Sequence, residues 1–248
     1  MGNDTKEDNE ENYTPRIFQV RANMQRKLSA ETYVGLKANL KYHKILTIAD
    51  GEFQSSGDIV GRGTGTASGL GVSLTRDTRN NVFYPSAGTL FKIAVQRFDG
   101  LIGSDYDFTR LSADVRSYLR PFQSHIIAIN GYASFMTGNP PFHMLSLLGQ
   151  VGERNVMRGY YQGRYRDNNI LVLQTEYRMP VWWRFGCAVF GGIGDVSHKM
   201  SGLKRRRWFP AGKYYGEFSL TQALYGCPCQ LSLGKSAFFG LAEIVVQK

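Results

Sequence analysis

Long segments in which apolar and polar residues alternate constrain the fold of this chain more than any other feature. In residues 34–43 the valine, leucines, alanine and tyrosine fall on one parity, and Lys37, Lys41 and His43 fall on the other. A helix would scatter these basic residues around all its faces, whereas a strand places them on one face. Residues 18–25, 110–119 and 127–135 repeat the pattern. Further strands are predicted at residues 214–224, and at 230–233 and 238–246 as a closing hairpin. The alternation therefore predicts an all-β chain built from antiparallel strands.

The predicted strands are long. We expect about twelve of them, several near 10 residues or longer, whereas strands of soluble domains average about 5 to 6 residues. A soluble sandwich shows the same period, so periodicity alone leaves that fold open. Strand length favours a transmembrane β-barrel. A soluble β-barrel that binds a lipid or another small ligand remains an alternative, and solubility without detergent would support it.

Composition agrees with one large β domain. The 248 residues include 28 glycines, and 13% are aromatic. Because the sequence contains no run of about 18 apolar residues, a transmembrane helix is excluded, whereas a barrel strand needs only about 10 residues of alternating polarity. We expect residues 1–12 to form a polar, acidic loop outside the membrane and residues 13–248 to form the barrel. We expect no signal peptide in residues 1–12, because they are acidic and polar where a signal peptide has a positively charged region and an apolar core.

Charge and reactive side chains exclude several functions. The net charge is +10, but the basic residues lie singly on polar strand faces instead of in one patch, so no nucleic-acid partner is expected. Cys187, Cys227 and Cys229 form neither a disulfide framework nor a C-x-x-C motif, and the four histidines lack ligand spacing. We therefore expect no metal, no cofactor and no enzymatic activity, since a nucleophile elbow is also missing.

The segment Met157-Arg158-Gly159-Tyr160 is the strongest candidate for a functional site. It places an arginine between bulky residues and beside a glycine, just before a strand at residues 170–180. We interpret residues 151–169 as a loop that folds back into the barrel. Glu176 lies on the polar face of the following strand, and a buried guanidinium needs such a carboxylate as a bidentate, charge-assisted partner. A basic surface turn is the simpler alternative.

Several motifs together resemble the bacterial surface antigen family, which includes the barrels of the BamA and TamA type. The segment 157–160 is similar to the family's V-R-G-[FY] loop motif, and residues 167–180 end in its Glu-Tyr-Arg-x-Pro pattern. A third motif, D-x-R-x-x-x-x-Y-P-x-x-G, marks a hairpin in the family. Its residues in this chain are Asp77, Arg79, Tyr84, Pro85 and Gly88.

The resemblance implies that Arg158 meets acidic groups on the barrel wall, with Glu176 as one partner. The family's second acidic position is occupied by Gly192 in this chain, so Asp195 is only a possible second partner. The family barrel has sixteen strands, and the matching segments correspond to the last twelve. This correspondence predicts a stand-alone barrel without periplasmic repeat domains that is shortened at its N-terminus.

The resemblance also implies a location and a function. We expect an integral protein of the bacterial outer membrane, in contact with outer-membrane lipid, that resembles factors for assembly and insertion of outer-membrane proteins. Unfolded outer-membrane proteins would be its clients, and the loop pinned by Arg158 to Glu176 would hold its lumen. The alternative is a passive pore or a structural barrel without assembly activity, because a fold does not dictate an activity.

Overall fold

The computed structural model describes residues 13–48, 59–151, 154–155, 157, 165–182, 185–198, 209–211 and 239–247. Within these ranges the chain consists of β-strands, their connections and two short 3-10 turns, Gly100–Ile102 and Phe142–Met144. No helix in the described part of the chain is long and apolar enough to cross a membrane. The predicted all-β fold is confirmed.

Eight long strands form most of the structure, and their lengths of 11 to 17 residues agree with the long alternating segments of the sequence. Four two-residue strands lie between the sixth and the seventh long strand, and two further strands follow the eighth. In chain order the strands are β1 Tyr13–Lys27, β2 Thr32–Ile48, β3 Gly65–Asp77, β4 Gly88–Phe98, β5 Phe108–Leu119, β6 Ile126–Gly138, β7 Ser146–Leu147, β8 Gln150–Val151, β9 Arg154–Asn155, β10 Arg166–Asp167, β11 Asn169–Trp182, β12 Phe185–Ser197, β13 Phe209–Ala211 and β14 Phe239–Gln247.

One antiparallel sheet contains ten of these strands, in the order β13-β12-β11-β6-β5-β4-β3-β2-β1-β14. Neighbours in the sheet are mostly neighbours in sequence, as in an up-and-down barrel. Two pairings depart from this rule. β6 pairs with β11 across the connection 139–168, and the first strand pairs with the last, from Ile17 opposite Gln247 to Gln25 opposite Phe239. The first and last strands of the chain are therefore adjacent.

The burial pattern of the sheet is the reverse of that in a water-soluble β domain. Large apolar side chains such as Leu36, which is 64% exposed, cover one face, and polar side chains such as Lys41 and Asp114 are buried on the other. The connection 139–168 contacts the polar face, which we call the inner face. A sheet with an apolar outer face and a polar inner face suits a barrel wall in lipid. Charged side chains such as Lys41 and Asp114 therefore lie on the inner face.

The connections between the long strands alternate between the two ends of the sheet. Residues 28–31, 78–87 and 120–125 lie at one end, which we call the turn end. Residues 99–107 and the connections from β2 to β3 and from β6 to β11 lie at the opposite end, the loop end. Of the predicted strands near the C-terminus, the one at 238–246 is confirmed as β14. The two at 214–224 and 230–233 lie outside the described residues.

Candidate functional site: the inner wall and the connection that covers it

The connection 139–168 is bound to the inner face by backbone carbonyls at its 3-10 turn. The Nζ atom of Lys41 on β2 donates to the carbonyl oxygen of His143 at 3.1 Å, and the Arg110 guanidinium on β5 donates to the carbonyl oxygen of Met144. The amide of Phe142 donates to the carbonyl oxygen of Val60 at 2.9 Å. These contacts join the connection to two separate strands and to the β2–β3 loop, so the turn is fixed on the wall.

Two histidines stack where this turn meets the wall. The ring centroids of His43 on β2 and His143 in the connection are 3.7 Å apart. His43 also contacts the carbonyl oxygen of Gly61 at 2.9 Å, whereas neither ring nitrogen of His143 has a hydrogen-bond partner among the described residues. Burial lowers the pKa of the His143 imidazole, and the nearby Lys41 and His43 lower it further. His143 is therefore neutral at pH 7.

Met157, a residue of the connection 139–168, lies in an apolar cluster between the connection and the wall. Its side chain is 0% exposed, and it packs against β11 and β12 at the level of Gly194. A Cβ atom at Gly194 would lie 2.7 Å from the Met157 sulfur and 2.9 Å from a Leu148 methyl group, so the glycine provides the space that both side chains occupy. The cluster consists of Leu148, Met157, Tyr165, Ile170, Val172 and Val196, with Tyr132 against it.

The inner face carries ion pairs that lie within single strands. Arg116 donates twice to Asp114 on β5, at 3.0 and 2.9 Å, as expected from their two-residue spacing. Glu176 on β11 accepts from the Nε atom of Arg178 two residues further on. Glu176, the predicted partner of Arg158, therefore already binds another arginine in the structure, and Arg178 had not been predicted to take part.

The two predicted acidic partners lie at different levels of the wall. Asp195 on β12 is opposite Leu171, five residues along β11 from Glu176, which corresponds to about 17 Å at the rise of a β-strand. Asp195 is 2% exposed and adjacent to Gly194, where Met157 packs. One guanidinium cannot contact both carboxylates. Arg158, Gly159 and Tyr160 lie outside the described residues, so the predicted ion pair of Arg158 stays a prediction.

The D-x-R-x-x-x-x-Y-P-x-x-G motif lies at the β3–β4 turn. Asp77 accepts from the Arg79 side chain at 2.7 and 2.8 Å, which fixes the start of the turn. Gly88 ends the turn with φ +95°, and a Cβ atom there would lie 2.2 Å from the carbonyl oxygen of Thr78. Glycine is therefore required at this position. Tyr84 and Pro85 contact β11, as described below.

A comparison with family models decides the identity of the chain. The Omp85 superfamily domain matches residues 2–207, and thus most of the sequence. The chain belongs to the Omp85 superfamily. The predicted resemblance to barrels of the BamA and TamA type is confirmed, and so is the expectation of an outer-membrane β-barrel fold.

Among solved structures, 64 chains match this Omp85 barrel. One is the crystal structure of BamA from Haemophilus ducreyi lacking POTRA domains 1-3, with a TM-score of 0.59 and 14% sequence identity. The match covers 75% of this chain and 42% of the BamA chain, and at this identity the likeness concerns the fold. No curated protein matches the sequence.

Several residues of the inner wall were not predicted as site residues. Arg178 follows the predicted Glu176 by two residues, so its place on the same face could have been inferred from strand geometry. Lys41 and Arg110 also lie on polar strand faces, but their contacts with the connection 139–168 depend on how that connection folds back. Sequence periodicity carries no information about that path.

Proposed function

We propose that this Omp85 barrel acts in the insertion or assembly of other outer-membrane proteins. The pairing of β1 with β14 is the observation that carries the proposal. An incoming strand can add to a sheet only at an exposed edge, and in the closed wall that we propose such an edge forms where a pair of strands separates. β1 and β14 pair with each other but no turn joins them. They can therefore separate without opening a hairpin.

The lengths of the two pairings of β1 support this choice. β1 pairs with β2 over fifteen residue pairs and with β14 over nine. At the loop end, residues 13–16 of β1 extend beyond the β14 pairing, and at the turn end Arg26 and Lys27 do so. Fewer ladder hydrogen bonds therefore hold the β1–β14 boundary, which makes it the weaker edge of the first strand.

The connection 139–168 holds the wall in one arrangement in this proposal. In the proposed mechanism, Arg158 forms a buried ion pair with Glu176, or with Asp195 at the level of Met157, and keeps the connection on the wall while β1 and β14 separate. Removing one member of a buried ion pair costs about 3–5 kcal/mol. We expect Arg158→Ala to impair barrel assembly, as seen in heat-modifiable migration, and normal migration of this variant would contradict the pairing.

Single carboxamide substitutions separate the two candidate partners. If Arg158 binds Glu176, Glu176→Gln should reproduce the defect of Arg158→Ala, and Asp195→Asn should leave migration normal. The reverse result would assign Asp195. Because Glu176 also binds Arg178, Arg178→Ala is the necessary control for effects that arise from that pair alone.

A locked strand boundary tests the assembly activity. Val20 on β1 is opposite Ile244 on β14 and Leu40 on β2. In a variant whose native cysteines are serines, a Val20→Cys, Ile244→Cys disulfide would lock the β1–β14 boundary, and a Val20→Cys, Leu40→Cys disulfide is the matched control on the other edge of the same strand. Each variant is placed in liposomes, and folding of a urea-denatured outer-membrane barrel is followed by heat-modifiable migration.

We expect the unlocked protein and the control to accelerate client folding, and the β1–β14 disulfide to abolish the acceleration until it is reduced. Acceleration that persists in the oxidised β1–β14 variant would contradict strand separation. No acceleration by the unlocked protein, together with ion conductance in the same liposomes, would instead support a passive pore.

A further inference from the structure

The β3–β4 turn, residues 78–87, is joined to a strand that is not its neighbour in the sheet. The Arg178 guanidinium on β11 lies 5.0 Å from the centroid of the Tyr84 ring, and its Nη1 atom is 3.5 Å from the carbonyl oxygen of Pro85. The guanidinium of Arg120, which directly follows β5, donates to the Ser86 hydroxyl. The turn is therefore held from two positions on the wall.

The contact with Arg178 spans three strand spacings. β5 and β6 lie between β4 and β11, and the register places Gly88, Tyr118 and Glu176 in one row across the sheet, with Arg178 two residues further toward the turn end. Strands lie about 4.8 Å apart, so the wall path from β4 to β11 is about 14 Å. A turn that continued straight from its strands could not reach Arg178. The turn must bend over the inner face to make this contact.

The turn has the internal hydrogen bonds of a rigid unit. The Asn80 side-chain oxygen accepts from the amides of Ser86 and Ala87, and its amide group donates to the Ser86 hydroxyl. Asn81 accepts from the amides of Phe83 and Tyr84. Because these bonds lie within the turn, they persist when the contacts with Arg120 and Arg178 are lost. Backbone bonds between Thr78 and Thr89 and between Asn80 and Ala87 continue the β3–β4 ladder into the turn, so the turn would bend as one body together with the ends of these two strands.

The Arg178 side chain is positioned for this contact by its own ion pair. Glu176 accepts from Nε, which leaves the Nη atoms of the guanidinium directed at Pro85 and its face against Tyr84. Both side chains of the ion pair are largely buried, at 22% and 16% exposure, so water competes weakly with these contacts. The tip of the turn is different, because Phe83 is 97% exposed.

We propose that residues 78–87 form a gate over the turn end of the lumen, latched by Arg178, which Glu176 orients, and by Arg120. In the latched state the turn narrows the passage along the inner face at that end, and in the released state it leaves the passage open. This gate is independent of the β1–β14 boundary, since none of its residues lies on those two strands, and it shares only the Glu176–Arg178 pair with the proposed anchoring of the connection 139–168.

Spin-label distances test the latch directly. Cysteines replace Phe83 and Leu28, which are both highly exposed at the turn end, in a variant whose native cysteines are serines. We expect a narrow distance distribution in the latched protein and a distribution at least twice as broad after Arg178→Ala or Tyr84→Ala. Arg76→Ala is the matched control, because Arg76 at the same end forms an exposed ion pair with Glu31 at 3.5 Å. An unchanged distribution in both latch variants would overturn the proposal.

Conductance distinguishes a gate from a contact that only supports the turn. In planar bilayers we expect Arg178→Ala and Tyr84→Ala each to raise single-channel conductance at least twofold. The double variant should match Arg178→Ala, because Arg178→Ala already removes the contact that Tyr84→Ala breaks. Heat-modifiable migration identifies folded protein before measurement. Folded latch variants with the conductance of the unsubstituted protein would show that the turn does not restrict the passage, and would refute the gate.

Discussion

Truncation of Met157 should detach the connection 139–168 from the wall without unfolding the barrel. Met157 is fully buried between Leu148, Val172 and Gly194. Met157→Ala removes three side-chain groups, each worth about 0.8 kcal/mol on burial, so the attachment should weaken by about 2.4 kcal/mol before any cavity cost. The measured range for such substitutions is about 2–5 kcal/mol. A loss of about 2.4 kcal/mol raises the detached fraction roughly 60-fold.

The amide of Leu148 reports this detachment. It donates to the carbonyl oxygen of Tyr165 at 2.9 Å, and the side chains of both residues pack in the cluster with Met157, so its hydrogen exchange requires this cluster to open. In detergent-solubilised protein, we expect exchange at Leu148 to accelerate roughly 60-fold in Met157→Ala, while amides in β3 and β4 keep their protection. Met24→Ala is the control, because Met24 is a half-exposed methionine on the outer face. Equal exchange at Leu148 in the two variants would refute the packing argument.

Three further predictions concern individual residues. Gly194→Val should force Met157 and Leu148 aside at a cost of about 1–3 kcal/mol and speed exchange at Leu148, whereas Gly191→Val, where a Cβ meets nothing within 4 Å, should have no such effect. Gly88→Ala should lower the melting temperature of the folded form, measured in a heat-modifiable migration series. The left-handed conformation and the Thr78 carbonyl both oppose a side chain at this position. Equal melting temperatures of Gly88→Ala and Gly100→Ala would contradict this reasoning. Burial beside Lys41, His43 and Arg110 lowers the pKa of His143. Below about pH 6.5 the His143 imidazole therefore binds a proton in the unfolded state but not in the folded state, and folding stability should fall as the pH drops. Urea unfolding at about pH 7.5 and about pH 5.5 measures the loss, and His143→Phe should reduce it if the argument is correct.

The strands of the wall could be predicted because period-two alternation is a local signal. Residues 34–43 and 110–119, for example, sort their charges onto one face in the sequence and lie in β2 and β5 with that face buried. The position of Glu176 on the polar face followed from the same rule, whereas the hairpin motif was expected from the resemblance to the family. The rule also implied that Asp114 and Arg116 share a face, where they form an ion pair.

The contacts of the site could not be predicted in the same way, because they join residues far apart in the chain. Glu176 binds Arg178 within the described part of the chain, a contact that had not been predicted, and its predicted pairing with Arg158 stays a prediction. The contact between Arg178 and the β3–β4 turn depends on the bend of that turn over the inner face, and local alternation does not encode a bend. The same holds for the burial of Met157 at Gly194, which requires the path of the whole connection.

The sequence by itself determined that this protein is a wall of long strands with one apolar and one polar face, because side-chain direction alternates with every residue of a strand. Only the tertiary structure decided that β1 adjoins β14, that β6 adjoins β11, and that the connection and the β3–β4 turn cover the polar face. Those arrangements depend on free energies of contact between distant segments, which the period of a single strand does not contain.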